Sequence, residues 1–253
     1  MDPGWPAYLI LFGVGGIAGT LNVIAGGGSF LTLPLMIFLG LPPTVANGTN
    51  RVAILVQNVG AVWSFHRHRV MKWNLLGVAA LPALAGATLG AWGAVTIGDR
   101  AFQRTLAGLM VAAAVWTLWD PLRRYSATDG FSGTGRLRSV ALAIGFFCVG
   151  LYGGFVQAGV GFLIIAVVTL GGLDLVGGNA LKVLVVLTYT PLTLLFFGLS
   201  GKVDWGMGAA LASGNLLGAL IGVRLIVLKG HAWVKRVVTA AVIAFAIKLW
   251  LSP

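Results

Sequence analysis

The second half of this chain repeats the first half at one constant offset, which aligns Gly27 with Gly159. The segment Gly27-Gly28-Ser29-Phe30 then matches Gly159-Val160-Gly161-Phe162, and no gap is needed anywhere. Other rare matches at this offset are Asn47 with Asn179, Trp73 with Trp205, and Arg104 with Arg236. Because Asn, Trp, Phe and Arg seldom match by chance, we interpret the pattern as an internal repeat. A duplicated unit with a glycine-rich break in each copy is typical of transporters with a shared central site.

The composition predicts that the lipid bilayer is the main solvent of this chain. Of its 253 residues 58% are hydrophobic and only 9% are charged, and the mean hydropathy is +0.96. A soluble domain carries about 25% charged residues, so we predict an all-α polytopic integral membrane protein. The net charge of +11 comes mostly from cations in short loops. Such cations set membrane orientation and meet lipid headgroups, which argues against a nucleic-acid partner.

Apolar segments predict two tandem pseudo-symmetric repeats, each with a glycine-broken helical hairpin and three full spans. Residues 1–119 form the first transmembrane repeat, 120–138 a cytoplasmic polar linker, and 139–253 the second transmembrane repeat. The predicted helices of the first repeat are 7–25, 29–40, 45–65, 74–96 and 101–119. Those of the second repeat are 139–157, 162–172, 178–198, 205–228 and 232–251.

The glycine-rich breaks have a physical cause. Residues 7–40 would form a helix of about 51 Å, far longer than the ~30 Å hydrocarbon core, so they cannot be one straight span. A turn at Gly26-Gly27-Gly28 frees backbone polar groups, which must then be packed in protein or face a watery cavity. The alternative is that the glycines only allow close helix packing. Recurrence of the break at Gly159-Val160-Gly161 favours the cavity.

The distribution of Lys and Arg residues favours inverted repeats. If residues 7–40 make no net crossing, or cross twice, the copies are inverted and loop cations divide ten against four between the two sides. If they cross once, the copies are parallel and the division is nine against five. The positive-inside bias therefore favours the inverted arrangement slightly. Both arrangements place the polar linker and the loop 66–72 in the cytoplasm.

Two cations within predicted spans are the candidates for anion binding. Arg51 and Lys182 lie in near-equivalent places, each shortly after a repeat asparagine near a helix start. Intramembrane charge is costly and usually faces protein or water, and a helix start adds free N–H groups and a positive dipole end. The two cations could therefore form an anion site by pseudosymmetry. The alternative is that both snorkel to the interface.

Polar and glycine residues near the breaks complete the predicted site. Singly, each polar side chain fits an interhelical hydrogen bond better than a ligand contact, but together they could line a polar path. The predicted substrate-binding residues are Gly26, Gly27, Gly28, Asn47, Thr49, Asn50, Arg51, Gln57, Gln157, Gly159, Gly161, Asn179, Lys182 and Tyr189.

The sequence gives little support for an enzyme, a metal site or a cofactor. Ser29 with His66 or His68 could suggest a serine protease, but their spacing is not specific. No Gly-Lys-Ser/Thr follows the three glycines, so they are not a phosphate loop. The three histidines have no carboxylate or cysteine cluster beside them, and the single cysteine, Cys148, can form no intrachain disulfide.

Two segments resemble the TauE/SafE sulfite exporter family. They are 22–34, NVIAGGGSFLTLP, and 41–50, LPPTVANGTN, and the duplicated layout extends the resemblance over essentially the whole chain. The second copy departs from the motif, because Ala166 replaces the proline and Lys182 stands where the first copy has Asn50. The resemblance implies a prokaryotic inner-membrane transporter of sulfur-containing anions. Lys182 could give it a substrate preference different from that of the family's namesakes.

We therefore expect a secondary transporter, most simply an exporter, of sulfite or organosulfonates that works by alternating access. Its partners would be a small anionic substrate and the lipid bilayer, and a homo-oligomer is compatible with the sequence. A passive anion channel or a non-transporting membrane partner is the first alternative, and a membrane enzyme the second.

The first prediction concerns topology. Cysteines placed at Ser126 and His68, in a chain whose Cys148 is replaced, should resist an impermeant thiol reagent in intact cells. The reason is the dense Lys and Arg around both positions. Labelling of both from outside would reverse the topology.

Overall fold

The computed structural model describes residues 4–71, 73–119, 135–172 and 175–251, and these ranges hold nine α-helices and no β-strand. The helices are α1 Trp5–Ile24, α2 Ser29–Phe38, α3 Pro43–Arg67, α4 Leu76–Thr96, α5 Asp99–Trp119, α6 Gly135–Phe155, α7 Val160–Leu170, α8 Leu175–Leu199 and α9 Trp205–Leu251. A short 3-10 helix, Trp73–Leu75, precedes α4. The all-α prediction is confirmed. Of the predicted linker 120–138, residues 120–134 lie outside the described ranges and the last four begin α6.

The two predicted breaks are real interruptions of the helix. α1 ends at Ile24 and α2 begins at Ser29, while α6 ends at Phe155 and α7 begins at Val160. Gly26 has φ 89° and Gly159 has φ 76°, a left-handed backbone conformation that other residues rarely adopt. These glycines therefore permit the turn between the two helices at each break, as well as allowing close packing.

The C-terminal helix differs from the prediction. Two spans were expected over 205–228 and 232–251, but α9 is one helix from Trp205 to Leu251. In the first half the corresponding chain does break: Ile97 is extended, and Asp99 accepts hydrogen bonds from the backbone N–H and the hydroxyl of Thr44, at 3.1 and 2.6 Å. Residue 231, at the position equivalent to Asp99, is a histidine. One glycine at position 230 costs a helix only about 1 kcal/mol, which does not force a turn.

Four stretches in the described ranges are long and apolar enough to cross a membrane: Trp5–Ile24, Trp73–Thr96, Val176–Leu199 and Trp205–Leu228. α3 is also 25 residues long, but it carries many polar side chains, most of which are buried within the protein. At 1.5 Å per residue α9 is about 70 Å long, so only part of it fits a ~30 Å hydrocarbon core.

Helices of one half pack on helices of the other half. α1 packs on α9 and α4 packs on α6, through small residues that bring the backbones close together. A Cβ on Gly218 would collide with the carbonyl oxygen of Gly16, and one on Gly150 with that of Ala83. Along α1, Phe12, Gly16 and Thr20 meet Gly214, Gly218 and Gly222 in that order, so α1 and α9 run parallel.

α3 and α8 form the centre of the protein and run antiparallel. Gly48 lies against Phe197, and Arg51, further along α3, bonds Thr193, which comes earlier in α8. Near the other end of α3, Phe65 shares a core cluster with residues from the start of α8. The repeat offset carries the range of α3, Pro43–Arg67, onto Leu175–Leu199, which is the range of α8.

The second prediction tests the close packing of α1 on α9. Gly218→Ala should lower the thermal midpoint in detergent, because its methyl group has no room beside the backbone of α1 and overpacking typically costs about 1–3 kcal/mol. Gly13→Ala is the matched control on α1, since a Cβ there meets nothing within 4 Å. Equal midpoints for the two variants would contradict the packing described.

Candidate functional site

The two helix breaks meet each other, as expected from their equivalent positions. A Cβ on Gly26 would collide with the backbone of Gly161. The rings of Phe30 and Phe162 stack with centroids 6.4 Å apart and an interplanar angle of 19°. Gly27 lies under the ring of Phe162, and Gly159 lies under the ring of Phe30. The contacts are thus reciprocal between the halves, which is the pattern that a two-fold relation produces.

Lys182 of α8 binds the C-terminal end of α1. Its Nζ donates to the carbonyl oxygens of Asn22 and Val23, at 2.9 and 2.7 Å, and to Oδ1 of Asn179 at 2.6 Å. The last carbonyls of a helix have no partner within the helix and carry the negative end of its dipole. The ammonium therefore satisfies backbone groups that the break exposes, and all three of its N–H groups have an acceptor.

Arg51 of α3 does the same for the C-terminal end of α6. Its guanidinium donates to the carbonyl oxygens of Gly153, at 3.3 Å, and Gly154. It also donates to Gln157 Oε1 at 3.2 Å and to Thr193 Oγ1 at 2.9 Å. Its carbon Cζ lies 4.5 Å from the ring centroid of Phe197, a cation–π contact. Its Nε has no hydrogen-bond partner among the described residues.

These contacts exclude the snorkelling alternative and correct the expected position of the two cations in their helices. Neither side chain snorkels to an interface, because Arg51 is 0% and Lys182 3% exposed. Nor do they lie at helix starts: Arg51 comes two turns into α3, and Lys182 two turns into α8. Each cation instead binds a helix C-terminus, because the breaks leave carbonyl groups there that only a donor can satisfy. Each also belongs to one half and binds the broken helix of the other half.

A small cavity lies where the breaks meet α3 and α8. Its volume is about 20 Å³, which is room for one water molecule. Its walls come from the end of α1, the first turns of α2 and α7, and the middle of α3 and α8. The lining residues are Asn22, Gly26, Ser29, Ile54, Gln57, Asn58, Gln157, Val160, Gly161, Lys182 and Val186.

The chemistry of this cavity suits a small anion. α2 begins at Ser29 and α7 at Val160, so two helix N-termini, with their positive dipole ends, border it. Lys182 adds a positive charge, and none of the described lining residues is a carboxylate. Gln57 Oε1 accepts hydrogen bonds from the side chains of Asn22 at 3.2 Å and Asn215 at 3.1 Å. This network holds the polar wall in place.

The predicted site residues fall into two groups. Those that line the cavity are Gly26, Gln57, Gln157, Gly161 and Lys182. The others surround it without lining it: Gly27, Gly28 and Gly159 pack at the breaks, and Asn47, Arg51 and Tyr189 contact the end of α6 or Gln157. Asn179 contacts Lys182. Asn50 contacts Ser29 and Thr32, and Thr49 accepts a hydrogen bond from the backbone N–H of Asp204.

Six lining residues were missing from the predicted set: Asn22, Ser29, Ile54, Asn58, Val160 and Val186. A signal for three of them exists in the helical spacing. Ile54 and Asn58 lie three and seven residues after Arg51, and Val186 lies four residues after Lys182, so they share faces with the two cations. Asn22, Ser29 and Val160 flank the breaks and depend on how the chain turns there.

The structure keeps Ser29 apart from His66 and His68, the residues that could have suggested a serine protease. Ser29 is buried and its hydroxyl accepts a hydrogen bond from Asn50 at 3.0 Å, whereas His66 and His68 are exposed at the far end of α3. Among the described residues no group of three or more His, Cys, Asp or Glu side chains could hold a metal ion.

Several known proteins are similar to this chain over most of their length. A probable membrane transporter protein of Haemophilus influenzae is 28% identical over 239 residues, which are 94% of this chain and 92% of that protein. The probable membrane transporter protein YfcA of Escherichia coli K12 is 29% identical, covering 95% of this chain and 88% of that protein. The probable membrane transporter protein ORF9 of a Sinorhizobium species is 30% identical, covering 100% and 95%. No solved structure matches.

The family model described as "Sulfite exporter TauE/SafE" matches residues 11–249, nearly the whole chain. The similarity to these relatives and the apolar helices indicate that this chain is a multi-pass membrane transporter of the prokaryotic inner membrane. The chain belongs to the TauE/SafE sulfite exporter family.

Proposed function

We propose that this protein is a secondary transporter that exports a small sulfur-containing anion, sulfite or an organosulfonate, and that it has no enzymatic activity. The observation that carries the proposal is the cavity between the two breaks. It is bordered by the N-termini of α2 and α7 and by Lys182, with no carboxylate among its described lining residues. A site of this kind favours an anion over a cation or a neutral solute. The family description supports the substrate class and the outward direction.

The proposed mechanism is alternating access between inverted repeats. The antiparallel course of α3 and α8, whose ranges coincide at the repeat offset, and the reciprocal contacts of Phe30 and Phe162 support an inverted relation. The substrate site would then lie near the pseudo-two-fold axis, where both repeats contribute. Rocking of one repeat against the other would open the site to each side in turn.

The size of the cavity fits an occluded arrangement of such a carrier. About 20 Å³ holds one water molecule and is too small for a sulfite ion. Binding therefore requires the breaks to move apart. Because Lys182 ties the end of α1 to α8, an anion that approaches the ammonium competes with the carbonyls of Asn22 and Val23. This competition would couple binding to movement of the break.

Flux measurements in proteoliposomes test the proposal. Labelled sulfite, sulfoacetate and thiosulfate are supplied in turn, with and without the unlabelled anion on the opposite side. A carrier gives saturable flux that the opposite anion accelerates. Flux that does not saturate would indicate a channel, and the absence of flux for every anion would support a non-transporting membrane partner. Chemical conversion of any of them without transport would indicate a membrane enzyme.

The third prediction is that anion flux depends on positive charge at the cavity. Lys182→Gln should lower flux about tenfold or more, since a charge-assisted contact is worth about 1.5–3 kcal/mol. Lys182→Arg should keep part of the flux, because the charge stays while the geometry changes. Normal flux in Lys182→Gln would mean that the anion is bound by backbone N–H groups and neutral side chains alone.

A second variant separates this effect from loss of folding, because Lys182 also holds the end of α1. Gln57→Glu keeps the acceptor for Asn22 and Asn215 while placing a negative charge on the cavity wall. It should remove most anion flux and leave the elution profile unchanged. Gln103→Glu adds the same charge at an exposed position of α5 and serves as control. Equal flux in the two variants would place the anion site elsewhere.

The fourth prediction tests the inverted arrangement. Ser200 lies in the exposed turn between α8 and α9, next to the segment that contacts the start of α3. In inverted repeats this turn and the loop 66–72 lie on opposite sides of the membrane, whereas parallel repeats place them on the same side. With Cys148 replaced, Ser200→Cys should be labelled by an impermeant thiol reagent in intact cells, while His68→Cys is protected. Protection of both would favour parallel repeats.

A further inference from the structure

A second and larger cavity lies between the C-terminal end of α3 and the middle of α9. Its volume is about 490 Å³. α3 and α9 run side by side in the same direction here, with Val52 near Gly208 and Gly60 near Leu216. The residues that give this groove its character are Trp63, Arg67, His68, Leu220, Ile221 and Arg224.

The groove is apolar at one end and basic at the other. Trp63 and Ile221 are 54% and 55% exposed and lie within stretches of α3 and α9 expected in the membrane. Arg67 and Arg224 are both exposed, and the described lining residues include no carboxylate to pair with them. The guanidinium of Arg67 lies 5.0 Å from the ring centroid of Trp63, which holds it over the apolar part.

Packing alone does not explain the two arginines. At the equivalent positions of the other repeat, Trp63, Arg67 and Arg224 correspond to Leu195, Leu199 and Trp92. Leu199 is 81% and Trp92 61% exposed, so the equivalent surface between α8 and α4 has apolar side chains where the groove has arginines. The fold therefore does not require a cation at these places. The arginines are confined to one of two corresponding surfaces, on the side that the loop cations mark as cytoplasmic.

We propose that this groove binds an anionic phospholipid. The phosphate would lie between Arg67 and Arg224, because guanidinium groups form strong charge-assisted hydrogen bonds to phosphate oxygens. One acyl chain would lie along Trp63, Leu220 and Ile221. A free anion would make no use of that apolar wall, whereas a lipid uses both ends of the groove. Basic pockets between membrane helices on the cytoplasmic side are suited to such headgroups.

Thermal stabilisation of the purified, delipidated protein by added lipid tests the proposal, because a ligand that binds the folded state raises the midpoint. Phosphatidylglycerol should raise the midpoint of the wild type, while phosphatidylcholine and inorganic phosphate at equal concentration should not. Arg67→Gln and Arg224→Gln should each weaken phosphatidylglycerol binding about fivefold. Arg224→Lys should retain most of it, and Trp63→Ala should weaken it through loss of the apolar contact.

Arg69→Gln is the matched control. It removes one positive charge from an exposed residue of the same loop that does not line the groove, so it should leave the lipid effect unchanged. Three results would overturn the proposal: equal stabilisation by phosphatidylcholine, stabilisation by inorganic phosphate alone, or the same loss in Arg69→Gln as in Arg67→Gln. The first would indicate non-specific lipid contact, the second a free-anion site, and the third attraction by loop charge in general. Elution profiles of all variants confirm that they remain folded.

Discussion

The architecture depends on how two helices can end inside the protein without leaving bare carbonyl groups. α1 and α6 end at the two breaks. Each helix has terminal carbonyl groups there that lipid cannot satisfy. Lys182 binds those at the end of α1, and Arg51 binds those at the end of α6. A cation is suited to this place because it donates several hydrogen bonds and also meets the negative end of the helix dipole. The buried charges therefore stabilise the breaks that border the candidate site.

This solution links the two halves more tightly than their separate sequences suggest. The donor for each break comes from the other half, and so do the packing partners of α1 and α6. Neither half can therefore complete its own broken hairpin. A relative movement of the halves would change the contacts of both cations, so on the proposed mechanism the breaks are where the carrier opens. Small residues along α1 and α9 keep that interface close without interlocking side chains.

Much of this follows from the sequence, and the failures have identifiable physical causes. The lengths of the apolar segments and the positions of the glycine-rich breaks located α1 to α8 to within a few residues. Both are properties of the local sequence, so no long-range contact is needed to predict them. The continuity of α9 was missed, since whether the chain breaks at Gly98 or continues through residue 230 depends on the long-range contact of Asp99 with Thr44. The sequence left open whether the two cations face the protein interior or snorkel to the interface, and both are buried. The helix C-termini that they bind were not foreseen. The spacing of residues along one helix cannot show that a side chain will bind the end of a helix from the other half of the chain.

The difference between the two cations argues for different duties. Arg51 reaches four acceptors and a phenyl ring with a planar, branched guanidinium, and it lines no part of the central cavity. Lys182 reaches three acceptors with a compact ammonium and does line the cavity. An ammonium on a flexible stem can exchange partners more readily than a guanidinium held by several fixed contacts. On the proposed function, Arg51 would keep one break fixed, while Lys182 would exchange the carbonyls of α1 for the substrate anion. The near-symmetric fold would then hold two unlike breaks, one structural and one responsive to the anion.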